Sequence, residues 1–180
     1  MSLNLRIRLI TWIRRIFLTL ATFFWMGLIF GFSSDTAEES AGLSAVICRF
    51  LAERFVKGFE SLGPAEQERI TESLQLFVRK GAHVTEYMIL GVLLFLTLGA
   101  YGLRRVFSLA LLTGVLYAAL DEYHQRFVPG RSGEIKDVLI DACGLLLGLV
   151  LTQGAGRLMQ MIKGKRKTKK QDGQAGPEYT

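Results

Sequence analysis

IFLTLATFFWMGLIFGF, residues 16–32, is a run of 17 residues without a charged side chain, and Arg14 and Arg15 come directly before it. A helix that crosses the hydrocarbon core of a bilayer needs about 20 mainly apolar residues, within a range of about 17–25. A cleaved signal peptide has a shorter apolar region and a small-residue cleavage site, whereas Ser33-Ser34-Asp35 follows here. The run therefore predicts an uncleaved membrane-spanning helix.

Three further apolar stretches predict three further spans. Residues 84–103 carry one charge, that of Glu86. Residues 106–120 and 138–152 are shorter, but snorkelling of Arg104 and Arg105 and a weakly apolar continuation extend them to about 104–120 and 138–156. A soluble helical core is the alternative, and the placement of most charges outside four apolar runs argues against it. We predict an all-α, polytopic membrane protein with four transmembrane helices.

Composition excludes two other classes and raises a question about charge. Hydrophobic residues make up 50% of the 180 positions, which is too many for a disordered chain, and the 2 cysteines are too few for a disulfide scaffold. The mean hydropathy is +0.30, although the net charge is +6 and 21% of the residues are charged. Such a mixture indicates that charged and apolar residues are segregated along the chain.

The distribution of basic residues predicts the orientation. With four spans, residues 1–15, the link at 104–105 and the tail at 157–180 share one side, and they hold 13 of the 22 basic but 2 of the 16 acidic residues. Short flanking segments rich in Lys and Arg stay in the cytoplasm. We therefore expect a multi-pass protein of the bacterial cytoplasmic (inner) membrane with both termini in the cytoplasm.

Two segments outside the spans complete the organisation. The outer loop, residues 33–82, contains apolar residues from Leu43 to Phe55 at helical spacing, which predicts an amphipathic helix on the membrane surface or against the bundle. Gly63-Pro64 ends it, and Pro64 begins a second amphipathic helix that runs into span two. The basic tail, residues 157–180, is interpreted as a disordered topology signal rather than a site for nucleic acid or a specific anionic lipid.

Charged residues that a bilayer tolerates poorly converge at one predicted boundary. Lys80, His83, Glu86 and Tyr87 share a helical face at the start of span two. The other members come from the end of span three, the following link and the start of span four: Asp121, Glu122, Gln125, Arg126, Arg131, Asp137 and Asp141. Carboxylates at such depths normally turn toward a bundle interior, so we expect these side chains to meet at the outer membrane boundary.

Three kinds of chemistry fit this convergence. The first is a structural ion-pair network, in which Arg79, Lys80, Arg126 and Arg131 neutralise the carboxylates. The second is recognition of an anion, since arginine binds phosphate and carboxylate groups in a bidentate manner. The third is an enzyme, with Glu86 or Glu122 as general acid or base and His83 as a further catalytic candidate.

The enzyme hypothesis also allows a divalent metal site. His83, Glu86, Asp121, Glu122 and His124 carry groups that divalent metals accept. Their spacing fits no zinc pattern, so no metal ligands are assigned and the sequence identifies no cofactor.

The assembled motifs resemble the VanZ-like family of bacterial membrane proteins over about residues 16–152. The matching pieces are Arg79-Lys80-x-x-His83-x-x-Glu86-Tyr87, then Asp121-Glu122-x-x-Gln125 with Phe127-x-x-Gly130-Arg131, then Asp137 before a glycine-rich helix, and Phe32-Ser33-Ser34 after span one. Asp141 departs from the pattern, because an asparagine is expected there.

The resemblance implies a site and a biological setting. Its site residues are Arg79, Lys80, His83, Glu86, Tyr87, Asp121, Glu122, Gln125, Arg131 and Asp137. The family's named member is associated with resistance to the glycopeptide teicoplanin. The expected partners are therefore membrane lipids and an envelope lipid, glycan precursor or glycopeptide-related ligand, with an enzyme acting on a phosphorylated or acyl lipid as the alternative.

Overall fold

The computed structural model of the chain describes residues 2–172, without the side chains of Ala37, Leu43, Leu76 and residues 165–172. Five α-helices follow one another: α1 (Leu3–Ser34), α2 (Ala37–Phe55), α3 (Pro64–Ala100), α4 (Val106–Gln125) and α5 (Ile135–Asp172). A short 3-10 helix, Phe59–Ser61, lies between α2 and α3. The described part of the chain contains no β-strand, as the all-α prediction requires.

Four of these helices, α1, α3, α4 and α5, are long and apolar enough to cross a membrane, which confirms the four predicted spans. Their ends differ from the apolar runs, because a helix continues through polar residues wherever its backbone hydrogen bonds are kept. The N-terminal segment is already helical from Leu3. The prediction of a disordered tail from residue 157 is wrong as far as Asp172, because α5 continues to that residue. Residues 173–180 lie outside the described residues.

Helices α3 and α5 pack most extensively against each other, and glycine permits the close approach. A Cβ atom added to Gly144 would meet the backbone of Val84, and one added to Gly148 would meet the backbone of Met88. Small residues at such crossings let two membrane helices come into backbone contact. The Gly144-x-x-x-Gly148 pair therefore serves packing within the chain.

Helix α2 packs antiparallel to the first half of α3. Thr36 begins it with a capping box: the Thr36 hydroxyl accepts a hydrogen bond from the Glu39 backbone N–H, and the Glu39 carboxylate accepts one from the Thr36 backbone N–H at 2.8 Å. The hydrogen bonds that the Glu39 carboxylate accepts from the Thr36 backbone N–H and from the Thr36 hydroxyl hold its pKa below its ordinary value. Only two residues separate the end of α1 from the start of α2.

The face of α2 that contacts α3 differs from the face marked by large apolar residues. Ser44, Cys48 and Ala52 are buried, whereas Val46 and Phe50 are exposed. Small side chains at steps of four let the helices approach, and the larger ones point away from the bundle. The amphipathic helix is as predicted, but its small-residue stripe makes the bundle contact.

At the end of the bundle where α3 ends, α1 is tied to α3 by polar contacts. The Arg15 Nε donates a hydrogen bond of 2.9 Å to the backbone carbonyl of Ala100, and Thr19 and Tyr101 share one of 3.1 Å. The Arg15 guanidinium also lies 5.3 Å from the centre of the Tyr101 ring. Arginine and aromatic side chains together are typical of a membrane–water boundary.

Candidate functional site

The polar residues gather at the opposite end of the bundle, where α1 and α4 end and α5 begins; we call this the site end. A cavity of about 230 Å³, the polar cavity, lies between α3, α4, α5 and the connection at residues 126–134. It is lined by Arg79, Lys80, His83, Glu122, Gln125, Gly130, Arg131, Ser132, Glu134, Asp137, Ile140 and Asp141. Seven of the ten predicted site residues are in this lining.

The three cations of the polar cavity differ in their partners. Lys80 forms an ion pair of 3.2 Å with Asp137, which joins α3 to α5. Arg131 donates through Nη2 to the backbone carbonyl of Phe32 at 2.8 Å, and its buried Nε has no hydrogen-bond partner among the described residues. Arg79 forms no hydrogen bond or ion pair with the described part of the chain. Two guanidinium groups therefore lack a carboxylate partner here.

Adjacent carboxylates of α4 have separate surroundings. Asp121 is buried in the bundle, where its carboxylate accepts a hydrogen bond of 2.7 Å from the Ser33 hydroxyl of α1. Glu122 reaches the polar cavity and accepts hydrogen bonds from the Gln125 amide at 3.1 Å and from the Glu134 backbone N–H at 3.2 Å. Because the Gln125 amide also lies 3.4 Å from Asp121, it links the two carboxylates.

Asp141 is the most enclosed carboxylate at the site end, with none of its surface exposed. His83 Nδ1 lies 3.6 Å from Asp141 Oδ1, too far for a hydrogen bond, and neither Asp141 oxygen has a hydrogen-bond partner in the described part of the chain. A buried carboxylate without a partner is costly, so a group that donates hydrogen bonds to it stabilises the site.

A second cavity, of about 270 Å³, lies beside the first between α1, α2 and α3; we call it the apolar cavity. Its lining includes Phe32, Ile47, Val78 and Ala82, together with Asp35, Ser40, Ser44 and Glu86. Arg79, His83 and Arg131 line both cavities and so mark their junction. The two predicted catalytic carboxylates are thereby separated, with Glu86 in the apolar cavity and Glu122 in the polar one.

Some residues singled out in the sequence lie elsewhere. Tyr87 is fully buried in the hydrophobic core and lines neither cavity. His124 stacks on Phe30, with ring centres 4.4 Å apart, and contacts the Ser34 hydroxyl at 3.2 Å. The helical periodicity of the sequence could not predict these environments, because they form only where α1 and α4 pack within the bundle.

The expected ion-pair network forms only in part. Lys80 of α3 and Asp137 of α5 form an ion pair across the polar cavity. Arg126 instead donates a hydrogen bond to the backbone carbonyl of Gly133. No group of three His, Cys, Asp or Glu side chains placed to hold a metal ion occurs within the described residues. Within the described residues, the site therefore combines two guanidinium groups that form no ion pair, those of Arg79 and Arg131, with the Asp141 carboxylate, which accepts no hydrogen bond.

Sequence reasoning missed several residues of the site. Ser33, noted only as part of the Phe32-Ser33-Ser34 motif, donates a hydrogen bond to Asp121; Glu134 supplies a backbone donor, and Ser40 and Ser44 line the apolar cavity. The spacing of Ser40, Ser44, Cys48 and Ala52, four residues apart, was a signal for a helix face that packs closely. The backbone contact of Glu134 left no signal, since a backbone N–H accompanies every residue except proline.

Comparison with known proteins bears on the motifs just located. No curated protein and no solved structure matches the chain. The sequence model of the VanZ/LLP1 family matches residues 18–158, which include α3, α4, the 126–134 connection and most of both other spans. This match covers more than half of the chain and confirms the resemblance drawn from the motifs. The chain belongs to the VanZ/LLP1 family of multi-pass membrane proteins.

Proposed function

We propose that the protein binds the anionic headgroup of an envelope lipid or glycan precursor in the polar cavity. The supporting observation is that Arg79 and Arg131 line this cavity without a carboxylate partner in the described part of the chain. A guanidinium presents N–H donors in a planar fork that matches two oxygens of a phosphate. An external anion supplies the acceptors that the protein itself does not.

The charge of Arg131 supports this assignment. Burial lowers the pKa of the Arg131 guanidinium and the nearby Arg79 lowers it further, whereas Asp35, Asp121 and Glu122 raise it in part. Desolvation and a like charge both disfavour the charged form of a guanidinium, and these carboxylates, none of which forms an ion pair with Arg131, do not offset them. Since arginine keeps its charge in proteins, a bound phosphate stabilises both guanidinium groups at once.

The carboxylates in the cavity add a requirement on the ligand. Asp137 is paired with Lys80, and Glu122 and Glu134 also line the cavity with carboxylate oxygens. Hydroxyl and ammonium groups donate hydrogen bonds to such oxygens. The favoured headgroup therefore carries a phosphate together with hydroxyl or ammonium donors, as phosphorylated sugars and amino-containing lipids do.

Replacing Arg79 with alanine tests the headgroup assignment. We expect the affinity of the full chain for methyl phosphate, measured in nanodiscs of a neutral glycolipid, to fall about 10- to 100-fold, since a hydrogen bond to a charged group contributes about 1.5–3 kcal/mol. Arg69→Ala is the matched control, because Arg69 lies on the same helix, exposed and paired with Glu66 at 2.9 Å. Equal affinities in the two variants would refute the proposal.

We place the site end on the extracytoplasmic side of the bacterial cytoplasmic membrane. Supporting this orientation, Arg15 and the Arg104-Arg105 link lie at or next to the other end of the bundle, and cytoplasmic segments are rich in basic residues. Both termini are then cytoplasmic. The ligand is accordingly a lipid or precursor present in the outer leaflet.

Reporter fusions test this orientation. Alkaline phosphatase fused after residue 60 or residue 131 should be active, since that enzyme folds in the extracytoplasmic space, whereas a fusion after residue 104 should be inactive. The same fusions made with a cytoplasmic fluorescent reporter should give the reverse pattern. A cytoplasmic signal at residue 60 or residue 131 would contradict the proposed side.

Two extensions of the function stay predictions. Binding of an envelope precursor at this site gives a route by which the protein modulates teicoplanin susceptibility, in keeping with its family. The enzymatic alternative relies on Glu86 or Glu122 as general acid or base. Because these carboxylates line different cavities, they would serve one reaction only on a ligand that spans both.

A further inference from the structure

The apolar cavity is adjacent to the polar one, and its position bears on the kind of molecule that the site accepts. Phe32, Ile47, Val78 and Ala82 give it a mainly apolar surface, which Asp35, Ser40, Ser44 and Glu86 also border, whereas charged and polar side chains make up most of the wall of the polar cavity. Arg79, His83 and Arg131 belong to both linings. The lining therefore changes from mainly polar to mainly apolar across these three side chains.

The sizes of the cavities support one ligand across both. A small-molecule site usually encloses about 300–1,000 Å³. The polar cavity has about 230 Å³ and the apolar cavity about 270 Å³, so each alone falls short of that range and the two together come within it.

We propose that the ligand is a phosphate-headed amphiphile whose first chain carbons occupy the apolar cavity while its headgroup lies in the polar cavity. This inference rests on the proposed function and specifies the substrate class of the same site. The phosphate lies at the junction, within reach of the Arg79 and Arg131 guanidinium groups. The chain lies between α2 and α3, against Ile47 and Ala82.

The role of α2 follows from this arrangement. Ile47 of α2, which is half-exposed, lines the apolar cavity together with Val78 and Ala82 of α3, whereas Val46, one residue earlier, lines neither cavity. The loop helix thus supplies a wall for the hydrocarbon chain.

A series of n-alkyl phosphates tests the proposal on the full chain in neutral glycolipid nanodiscs, with empty nanodiscs as the reference for partitioning. From methyl to hexyl phosphate the affinity should rise until the cavity is filled, by about fourfold for each methylene removed from water. The headgroup is constant through the series, so the increase in affinity with alkyl length reports the contribution of the hydrocarbon chain alone.

Variants of the cavity wall test where the hydrocarbon chain of the ligand lies. Ala82→Trp fills the apolar cavity and should reduce the ratio of hexyl to methyl phosphate affinity to about one. Ile47→Asn, on the half-exposed α2 wall, should lower the same ratio and serves if the tryptophan variant fails to fold. Val46→Trp is the matched control on the same helix and should keep the wild-type ratio.

The outcomes separate this inference from the proposed function. If methyl phosphate binding depends on Arg79 and Arg131 but hexyl phosphate binds no more tightly, the amphiphile proposal is wrong and headgroup binding holds. If hexyl phosphate still binds more tightly than methyl phosphate in both Ala82→Trp and Ile47→Asn, the hydrocarbon chain lies elsewhere and the proposal is also wrong. If methyl phosphate binding is independent of both arginines, the proposed function itself fails.

Discussion

Replacing Gly148 with leucine should prevent α3 and α5 from packing, although leucine is the more favourable residue in a membrane-spanning helix. Even a single Cβ atom at Gly148 would meet the Met88 backbone, which cannot rotate away as a side chain can. The helices must separate, and overpacking of this kind costs about 1–3 kcal/mol or more. We expect a large loss of folded, monodisperse protein and a lower melting temperature in detergent, with Gly148→Ala intermediate.

The control for this prediction is on the same helix. Gly154 has no atom within 4 Å of an added Cβ, so Gly154→Leu should match the wild type in yield and melting temperature. Both leucine variants make α5 more apolar, and a difference between them therefore reports helix packing rather than membrane insertion. Wild-type stability in Gly148→Leu would contradict the backbone contact between α3 and α5.

Replacing Arg131 with alanine should have the largest effect on ligand binding. Arg131 lines both cavities and also holds the 126–134 connection to α1 through the Phe32 carbonyl. Truncating one member of a buried, hydrogen-bonded charge pair costs about 2–5 kcal/mol, so methyl phosphate affinity should fall by at least about 30-fold. The affinity for hexyl phosphate should fall by the same factor, because the two probes share one headgroup.

Arg131→Lys distinguishes charge from geometry at this position. Lysine keeps the positive charge but lacks the planar fork by which a guanidinium binds the Phe32 carbonyl and a phosphate together. We expect an affinity between those of the wild type and Arg131→Ala, with a melting temperature that shows both variants to be folded. Full affinity in folded Arg131→Ala protein would remove Arg131 from the site.

Much of the architecture followed from local features of the sequence. Apolar runs of bilayer length indicate the four spans, because a helix is the segment that satisfies its own backbone hydrogen bonds in a membrane. Gly63-Pro64 marks the start of α3, since proline is tolerated in the first helical turn. The sequence also predicted that charged residues of three spans meet at one end of the bundle, because those residues lie at the ends of the apolar runs that face the same side of the membrane.

The sequence could not predict the different surroundings of two residues that are adjacent on one helix. Asp121 and Glu122 follow each other, yet Asp121 is enclosed beside Ser33 and Glu122 reaches the polar cavity. Successive side chains on a helix point about 100° apart, so their surroundings depend on how the neighbouring helices are rotated. Periodicity gives the faces but not the partner that each face meets.

By itself, the sequence determined the class of fold, the number of spans and the end of the bundle that carries the polar residues, because each depends on hydrophobicity and charge along the chain. The tertiary structure alone decided that Gly144 and Gly148 contact the backbone of α3, that α2 packs through small residues, and that Arg79 and Arg131 lack carboxylate partners among the described residues. These features depend on distances between segments far apart in the chain, which only the packing of the helices sets.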